Sequence, residues 1–179
     1  MEGSGPGRPS LVQEPPLCPR IRETLSARSL SELAPGASET AALALSAGLL
    51  LIHEFWDASH TAAQRADDLG ERAVSAYWHG IAHRMEPDPG NASYWFRRVG
   101  KHSIFPQLAD YARTRLAETP GLEPTATSRL LDGGSWNPFA MIELCGKVKT
   151  GSPAEAMALD LQREEMRLLL LATLDHLAD

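Results

Sequence analysis

The sequence predicts an all-α, single-domain protein: a compact bundle of about six to seven helices over residues 21–179, preceded by a disordered leader over residues 1–20. Three observations support this fold class. Apolar residues recur at helical spacing along most of the chain, Gly and Pro residues separate segments of helix length, and no run of alternating β-branched residues predicts a strand. The length of 179 residues and the hydrophobic content of 43% fit one domain with a buried core.

The first elements follow from proline, glycine and capping residues. Residues 1–20 contain five prolines and three glycines, a composition typical of a chain that cannot bury enough apolar surface to fold. A short helix is predicted over residues 29–33, and Pro35 and Gly36 end it. Ser38 then provides a favourable N-cap for the next helix.

The next three helices form the predicted centre of the domain. Residues 41–52 are apolar on every face, which is typical of a helix inside a bundle. The pattern becomes amphipathic over residues 53–69, and Gly70 ends that helix. Another helix is predicted over residues 71–86, where Pro87 interrupts it.

The remaining helices are separated by similar signals. Gly133 and Gly134 predict a loop, and Pro138 fits the first turn of the helix that follows it. The predicted elements are helices over residues 91–99, 106–118 and 153–177, together with a helix that begins at Pro138 behind an N-cap at Ser135 or Asn137.

Composition excludes several function classes. The formal net charge of −6 argues against nucleic-acid binding, because phosphate recognition requires a concentrated basic surface. No export signal is visible, and the longest apolar run, residues 41–52, is shorter than the roughly 20 residues that span a bilayer. The two cysteines do not suggest a disulfide framework. We therefore expect a soluble, cytoplasmic protein without a nucleic-acid or membrane partner; formation of a homo-oligomer stays open.

Two consecutive predicted helices each carry three potential metal ligands at spacing i, i+4, i+7. This spacing places the three side chains of each helix on one face. Neutral imidazoles and carboxylates are ligands that Zn²⁺, Mn²⁺ and Fe²⁺ use, and helical bundles build such sites from facing helices. The predicted ligands of a shared divalent metal ion are His53 and Asp57 on the first helix and His79, His83 and Glu86 on the second, with His60 as a further ligand or a proton shuttle.

The alternative is that both polar stripes face water. Each stripe lies opposite an apolar arc, and such a stripe is usually the solvated face of a helix. However, solvated faces usually carry Lys, Glu and Arg, whereas these stripes carry His and Asp. Composition therefore favours a shared site, provided that the two stripes face each other.

Glu54 is a candidate general base beside a metal-bound water. The segment from His53 to Asp57 is similar to the His-Glu-x-x-His zinc motif, but Asp57 replaces the second histidine. The defining imidazole is therefore missing, and the segment does not predict a zinc protease. The alternative for Glu54 is a salt bridge at the surface.

Arginines near the second stripe are candidates for binding an anionic substrate. Arg84, Arg97 and Arg98 follow or flank this stripe, and a guanidinium group binds carboxylate or phosphate bidentately. The alternative is that the arginines form ion pairs with neighbouring carboxylates, while Trp95 and Phe96 are buried in the core. Asn91 is a further substrate-binding candidate, although its simplest role is at the cap of the next helix.

The segment from residue 78 to residue 100 resembles the signature of a family of small helical proteins with no established activity. The signature is a His-x-x-x-His-Arg-x-Glu-x-Asp run that leads into Asn-Ala-x-Tyr-Trp-Phe-Arg-Arg. The resemblance covers about residues 51–105, with a weaker similarity at residues 136–139. It implies no activity, and the motif positions that it implies are His79, His83, Arg84, Glu86, Asp88 and Asn91.

Two functional hypotheses follow. The first is a small metal-dependent enzyme, a hydrolase that acts on an anionic small molecule; an iron oxygenase stays open because mixed His and carboxylate sites also suit Fe²⁺. The second is a non-catalytic helical module, similar to tetratricopeptide repeats, that binds a ligand or a protein. The absence of a second copy of the pattern at residues 78–100 counts against such a repeat.

Overall fold

The computed structural model of the chain describes residues 10–16, 18–122 and 127–178. Within these residues it confirms the all-α prediction: eight α-helices pack around one hydrophobic core, with a short 3₁₀ helix before them and a two-stranded hairpin. The 3₁₀ helix is Pro19–Ile21, the α-helices are α1 (Ala27–Leu33), α2 (Glu39–Ile52), α3 (Trp56–Asp68), α4 (Ser75–Met85), α5 (Pro89–Val99), α6 (Phe105–Glu118), α7 (Pro138–Cys145) and α8 (Pro153–Ala178), and the strands are β1 (Leu131–Asp132) and β2 (Ser135–Trp136).

Part of the segment for which we predict disorder lies against the helices. Leu11 is only 6% exposed and belongs to the hydrophobic core, and the backbone of residues 10–16 forms hydrogen bonds with three different elements. The 3₁₀ helix Pro19–Ile21 also begins within the predicted leader, whereas residues 1–9 and 17 lie outside the described residues.

The predicted central helix is confirmed. Ser38 caps α2, because its side chain accepts a hydrogen bond from the backbone N–H of Ala41, and most of α2 is buried. A Cβ at Gly48 would lie 2.6 Å from the ring of Trp78 on α4. Glycine therefore allows α2 and α4 to approach closely at this position.

Two helix starts differ from the prediction. The chain turns between α2 and α3, where Glu54 has a φ of 65°, so that α3 begins at Trp56 and not at residue 53. The helix α4 begins at Ser75 and not at residue 71, because the Glu71 carboxylate accepts hydrogen bonds from three consecutive backbone N–H groups and holds the preceding segment in a turn.

The prediction of no strands is wrong at one place. The strands β1 and β2 pair antiparallel, with Leu131 opposite Trp136. Gly133 and Gly134 connect them with φ values of 56° and 88°, as a tight hairpin turn requires. Two-residue strands are too short to produce an alternating pattern, so that only the turn was visible in the sequence. The cap prediction at Asn137 is confirmed, since its side chain accepts hydrogen bonds at the start of α7.

Among the described residues, no helix combines the length and the apolar character that crossing a membrane requires.

Candidate metal centre

Specific hydrogen bonds hold α3 in place beside α2 and α4. The indole Nε1 of Trp56 donates to the carbonyl oxygen of Ala82 on α4 at 2.6 Å. The Ser59 hydroxyl donates to the carbonyl oxygen of Ala47 on α2 at 2.7 Å. These contacts fix the orientation of α3 about its axis, and the following residue, His60, lies against α4.

His60, His79 and His83 form one cluster, which we call the histidine trio. One ring nitrogen of each lies within 4.8 Å of a ring nitrogen of the other two. The ring centroids of His60 and His79 are 4.3 Å apart, and those of His79 and His83 are 5.0 Å apart with nearly parallel planes. The two histidines of α4 are therefore stacked one turn apart, and the ring of α3 meets both edge-on.

Two tryptophans flank the histidine trio. Trp95 on α5 stacks on His79 with ring centroids 3.8 Å apart, and Trp56 stacks on His60 at 5.0 Å. Gly80 permits the close approach of α5, because a Cβ there would lie 3.1 Å from the ring of Phe96. The burial of Trp95 and Phe96 in the core was predicted as an alternative and is confirmed. The contact of Trp56 with His60 was missed, although the spacing i, i+4 on one helix face could have indicated it.

The two histidines of α4 are almost completely buried. His79 is 1% exposed and His83 is 7% exposed, whereas His60 is half-buried. Neither ring nitrogen of His79 has a hydrogen-bond partner within the part of the chain that the structure describes. A buried polar group without a partner is uncommon and costs about 1–3 kcal/mol. The histidine trio therefore contains a buried imidazole whose nitrogen lone pair has no hydrogen-bond donor among the described residues.

Burial also favours the neutral form of His60 and His79. Desolvation, followed by the charges of His60, His83 and Arg98, lowers the pKa of His79 to about 3. Burial and the charge of His83 lower the pKa of His60, partly offset by two nearby carboxylates. Neutral imidazole is the form that binds a metal ion.

A second group of potential ligands adjoins the histidine trio. His83, Glu86 and Asp88 offer atoms within 4.8 Å of one another. The Nδ1–H of His83 donates to Oε2 of Glu86 at 2.9 Å, because a carboxylate only accepts. Asp88 caps α5 and accepts hydrogen bonds from the backbone N–H and the side-chain amide of Asn91. The residue that caps α5 is therefore Asp88, and Asn91 is its hydrogen-bond partner in the first turn of the helix.

His53 and Asp57 do not join either group of potential ligands in the described part of the chain. His53 ends α2 as its C-cap, and both residues are exposed. For His53 the physical reason is the turn between α2 and α3. The spacing i, i+4, i+7 places three residues on one face only when a single helix contains all three, and His53 precedes the start of α3. Asp57 lies in the first turn of α3, where its charge acts on His60 but its carboxylate does not join the trio.

Glu54 also lies outside both groups. Its carboxylate is buried and accepts hydrogen bonds from the backbone N–H groups of Ser10 and Glu14, at 2.9 Å and 3.4 Å. Burial is the main cause that raises the pKa of Glu54. Glu54, the candidate general base, therefore binds the backbone of the N-terminal segment and does not form the surface salt bridge that was its alternative role.

The predicted substrate-binding arginines are placed differently from one another. Arg84 is completely buried and pairs with Glu165 on α8, which also accepts a hydrogen bond from the hydroxyl of Tyr77. Arg98 donates to both carboxylate oxygens of Asp67, at 2.6 Å and 2.8 Å. Arg97 is exposed. Arg84 is therefore a core residue. Both Arg84 and Arg98 form ion pairs, as the alternative interpretation predicted, but their partners are carboxylates distant in sequence and not neighbouring ones.

The polar partners on α8 were missed in the sequence. Gln162 and Glu165 are both fully buried within an otherwise apolar face of this helix. Their position among buried leucines and methionines was a signal for a buried polar network, because charged residues are rarely buried unless they are paired.

Comparisons with known proteins do not add to this geometry. No family model matches the chain, and neither a curated protein nor a solved structure matches it.

Proposed function

We propose that the histidine trio binds a divalent metal ion, Zn²⁺, Mn²⁺ or Fe²⁺, and that the protein is a small metal-dependent enzyme, a hydrolase. The observation that carries this proposal is the pair of buried ring nitrogens of His79, which lack partners in the described structure beside two further imidazoles. A metal ion would provide a partner for the nitrogen of His79 that carries the lone pair, and it would offset part of the cost of the buried polar group.

The environment of the trio supports metal binding. A lowered pKa keeps the imidazoles of His60 and His79 unprotonated at neutral pH, so that no proton has to be displaced. The stacked rings of Trp56 and Trp95 restrict the orientation of the same two imidazoles. A site whose ligands are held in place before binding loses less conformational entropy when the ion enters.

Glu86 orients one of the three ligands. Because its carboxylate accepts a hydrogen bond from Nδ1–H of His83, the lone pair of that imidazole is on Nε2. Carboxylates commonly orient metal-binding histidines in this way. We therefore assign Glu86 the role of a positioning residue, in place of the ligand role that its spacing suggested.

Three protein ligands suit catalysis better than a closed structural site. Zinc enzymes commonly use three protein ligands and leave a further position for water, whose pKa the metal ion lowers to about 7. The half-buried His60 places the accessible side of the trio next to α3. Hydrolysis is the reaction class that an activated water performs, and it needs no further cofactor.

The substrate proposal depends on one arginine. Arg84 is buried in its ion pair with Glu165, whereas the guanidinium of Arg98 lies over the ring of Trp95, which stacks on His79. An anionic small molecule would therefore be bound by Arg98, in competition with the carboxylate of Asp67. Replacing Arg98 with methionine keeps most of the side-chain length and removes the charge. We expect this variant to bind an anionic substrate more weakly while its metal content is unchanged.

Metal analysis of the purified protein tests the proposal. We expect one equivalent of Zn, Mn or Fe per chain, which is lost when His79 or His83 is replaced with alanine. His53→Gln and Asp57→Asn are matched controls, because the sequence pattern included both residues whereas the structure places them outside the trio. Loss of metal in these controls but not in His60→Ala would refute the assignment. A chain that remains folded and binds no metal would favour the non-catalytic binding module.

A further inference from the structure

The N-terminal segment over residues 10–16, which we call the strap, crosses the end of the bundle that carries the histidine trio. It is held mainly through its backbone. The strap inserts a single apolar side chain, that of Leu11, into the core, while Val12 is 50% exposed. Such a segment buries little apolar surface compared with a helix and is suited to local release without unfolding of the domain.

Glu54 is the principal anchor of the strap. One carboxylate oxygen accepts a hydrogen bond from the N–H of Ser10 and the other from the N–H of Glu14. Glu54 lies in the turn between α2 and α3 with a φ of 65°, which residues other than glycine rarely adopt. A strained backbone conformation persists only where surrounding contacts stabilise it. At Glu54 these contacts include the hydrogen bonds that its carboxylate accepts from the two strap N–H groups.

The strap connects the two helices that carry the histidines. The N–H of Gln13 donates to the carbonyl oxygen of Met85, the last residue of α4, at 2.8 Å. Met85 follows His83 by two residues, and Glu54 precedes Trp56, the ring that stacks on His60, by two residues. The docked strap thus ties the start of α3 to the end of α4 close to the trio.

A third contact connects the strap to the buried polar network on α8. The side-chain amide of Gln162 donates to the carbonyl oxygen of Ser10 at 2.5 Å, and its own oxygen accepts hydrogen bonds from Arg84 at 3.1 Å and 3.3 Å. Arg84 follows His83 directly in α4. Docking of the strap therefore completes the hydrogen bonds of a residue that holds α4.

The strap also lines an open groove that reaches Trp56. The groove has a volume of about 630 Å³, and its lining includes Glu14 and Pro15 of the strap and Trp56 and Asp57 of α3, whereas the three histidines are not among the lining residues. Because Trp56 stacks on His60, a change in the strap alters the surroundings of the accessible ligand.

We propose that the strap is a releasable clamp: when docked, it holds His60 against the two histidines of α4 and slows the loss of the metal ion, and when released, it opens the site. The docking of the strap stands on its own contacts, whereas its effect on the metal rests on the proposed function. The clamp makes metal retention depend on a segment distant in sequence from all three ligands.

Glu54→Gln is the test variant, because an amide can keep one acceptor oxygen but presents an NH₂ group to the second strap N–H. Glu14→Gln is the matched control, since it keeps the backbone N–H of Glu14 and removes only the charge of Glu14, which has a minor effect on Glu54. Gln13→Pro is a second variant that removes the N–H donated to Met85 and leaves Glu54 intact. Circular dichroism establishes that each variant is folded.

Hydrogen exchange of the backbone amides of residues 10–14 measures docking without any metal. We expect these amides to be protected in the wild-type chain, and Glu54→Gln to speed their exchange about tenfold, which corresponds to the loss of roughly one charge-assisted hydrogen bond. Glu14→Gln should exchange like the wild-type chain. Unprotected amides in the wild-type chain would overturn the docking and with it the clamp.

Release of Zn²⁺ to a chromogenic chelator measures the effect on the site. We expect zinc to dissociate about tenfold faster from Glu54→Gln and from Gln13→Pro than from Glu14→Gln, in proportion to their exchange rates. Equal dissociation rates in variants whose strap is released would overturn the clamp while leaving the metal site intact. Failure of the wild-type chain to bind zinc would refute the proposed function and the effect on metal, whereas hydrogen exchange would still decide the docking.

Discussion

Acidification should destabilise the metal-free protein through His79 in particular. This imidazole is 1% exposed, and burial lowers its pKa to about 3 in the folded chain, whereas an unfolded histidine titrates near 6.5. Below about pH 6.5 the unfolded chain therefore binds a proton at this residue that the folded chain does not. The stability that His79 contributes is present above that pH and is lost progressively as the pH falls towards 3.

The two pKa values determine the size of the effect. At pH 7 the folded chain is neutral at His79 and the unfolded chain is mostly neutral, so that the difference in stability is only about 0.2 kcal/mol. At pH 5 the unfolded chain is protonated at this position and the folded chain is not, which favours unfolding by about 2 kcal/mol. His60 acts in the same direction, since its pKa is also lowered.

Urea unfolding at pH 7 and pH 5, with metal removed, measures this loss. The comparison variant is His79→Leu, which has no ionisable group at this position. A constant difference in its stability does not matter, because only the change between the two pH values is compared. We expect the wild-type chain to lose about 2 kcal/mol more than the variant over this interval, with unchanged m values. Identical pH dependence of the two proteins would mean that His79 is accessible to protons, and it would refute the argument from burial.

Two further predictions concern the packing that supports the site. Replacing Glu165 with glutamine leaves the guanidinium of Arg84 without its buried counter-charge. We expect denaturant titration to show a free energy of unfolding that is lower by about 3–5 kcal/mol. A loss below about 1 kcal/mol would contradict the burial of this ion pair. Gly48→Ala would place a Cβ 2.6 Å from the fully buried ring of Trp78 and should cost about 1–3 kcal/mol, seen as a lower midpoint of thermal unfolding. Gly146→Ala is the control, because a Cβ there would lie 3.6 Å from its nearest neighbouring atom and should change stability little. Equal effects of the two alanine substitutions would contradict the close packing at Gly48.

Most of the helices could be predicted from local signals. Capping side chains such as Ser38 and Asn137 act on backbone groups within three residues, and the apolar surface of α2 indicates a central position whichever partners surround it. The proximity of His79 and His83 was also predictable, because the spacing i, i+4 needs only one regular helix.

The errors at His53 and Glu54 originate in the turn between α2 and α3. Glu54 lies in this turn, and its carboxylate is held by backbone groups of the strap, 40 and 44 residues earlier in the sequence. His53 therefore precedes the start of α3 and does not share one helix with His60, as its spacing suggested. Similarly, Arg84 is buried because its partner Glu165 lies 81 residues away on α8.

Helix periodicity and capping depend on residues a few positions apart, so that the helical segments and the histidine-bearing faces of α3 and α4 could be predicted from local patterns. In contrast, the contact of His60 with the histidines of α4, the burial of Arg84 and the position of the strap depend on packing between distant segments. These contacts arise when distant segments bury their apolar surfaces together, and the relative rotation of packed helices follows from the fit of side chains across the whole core. Spacing along one chain segment carries no information about that rotation.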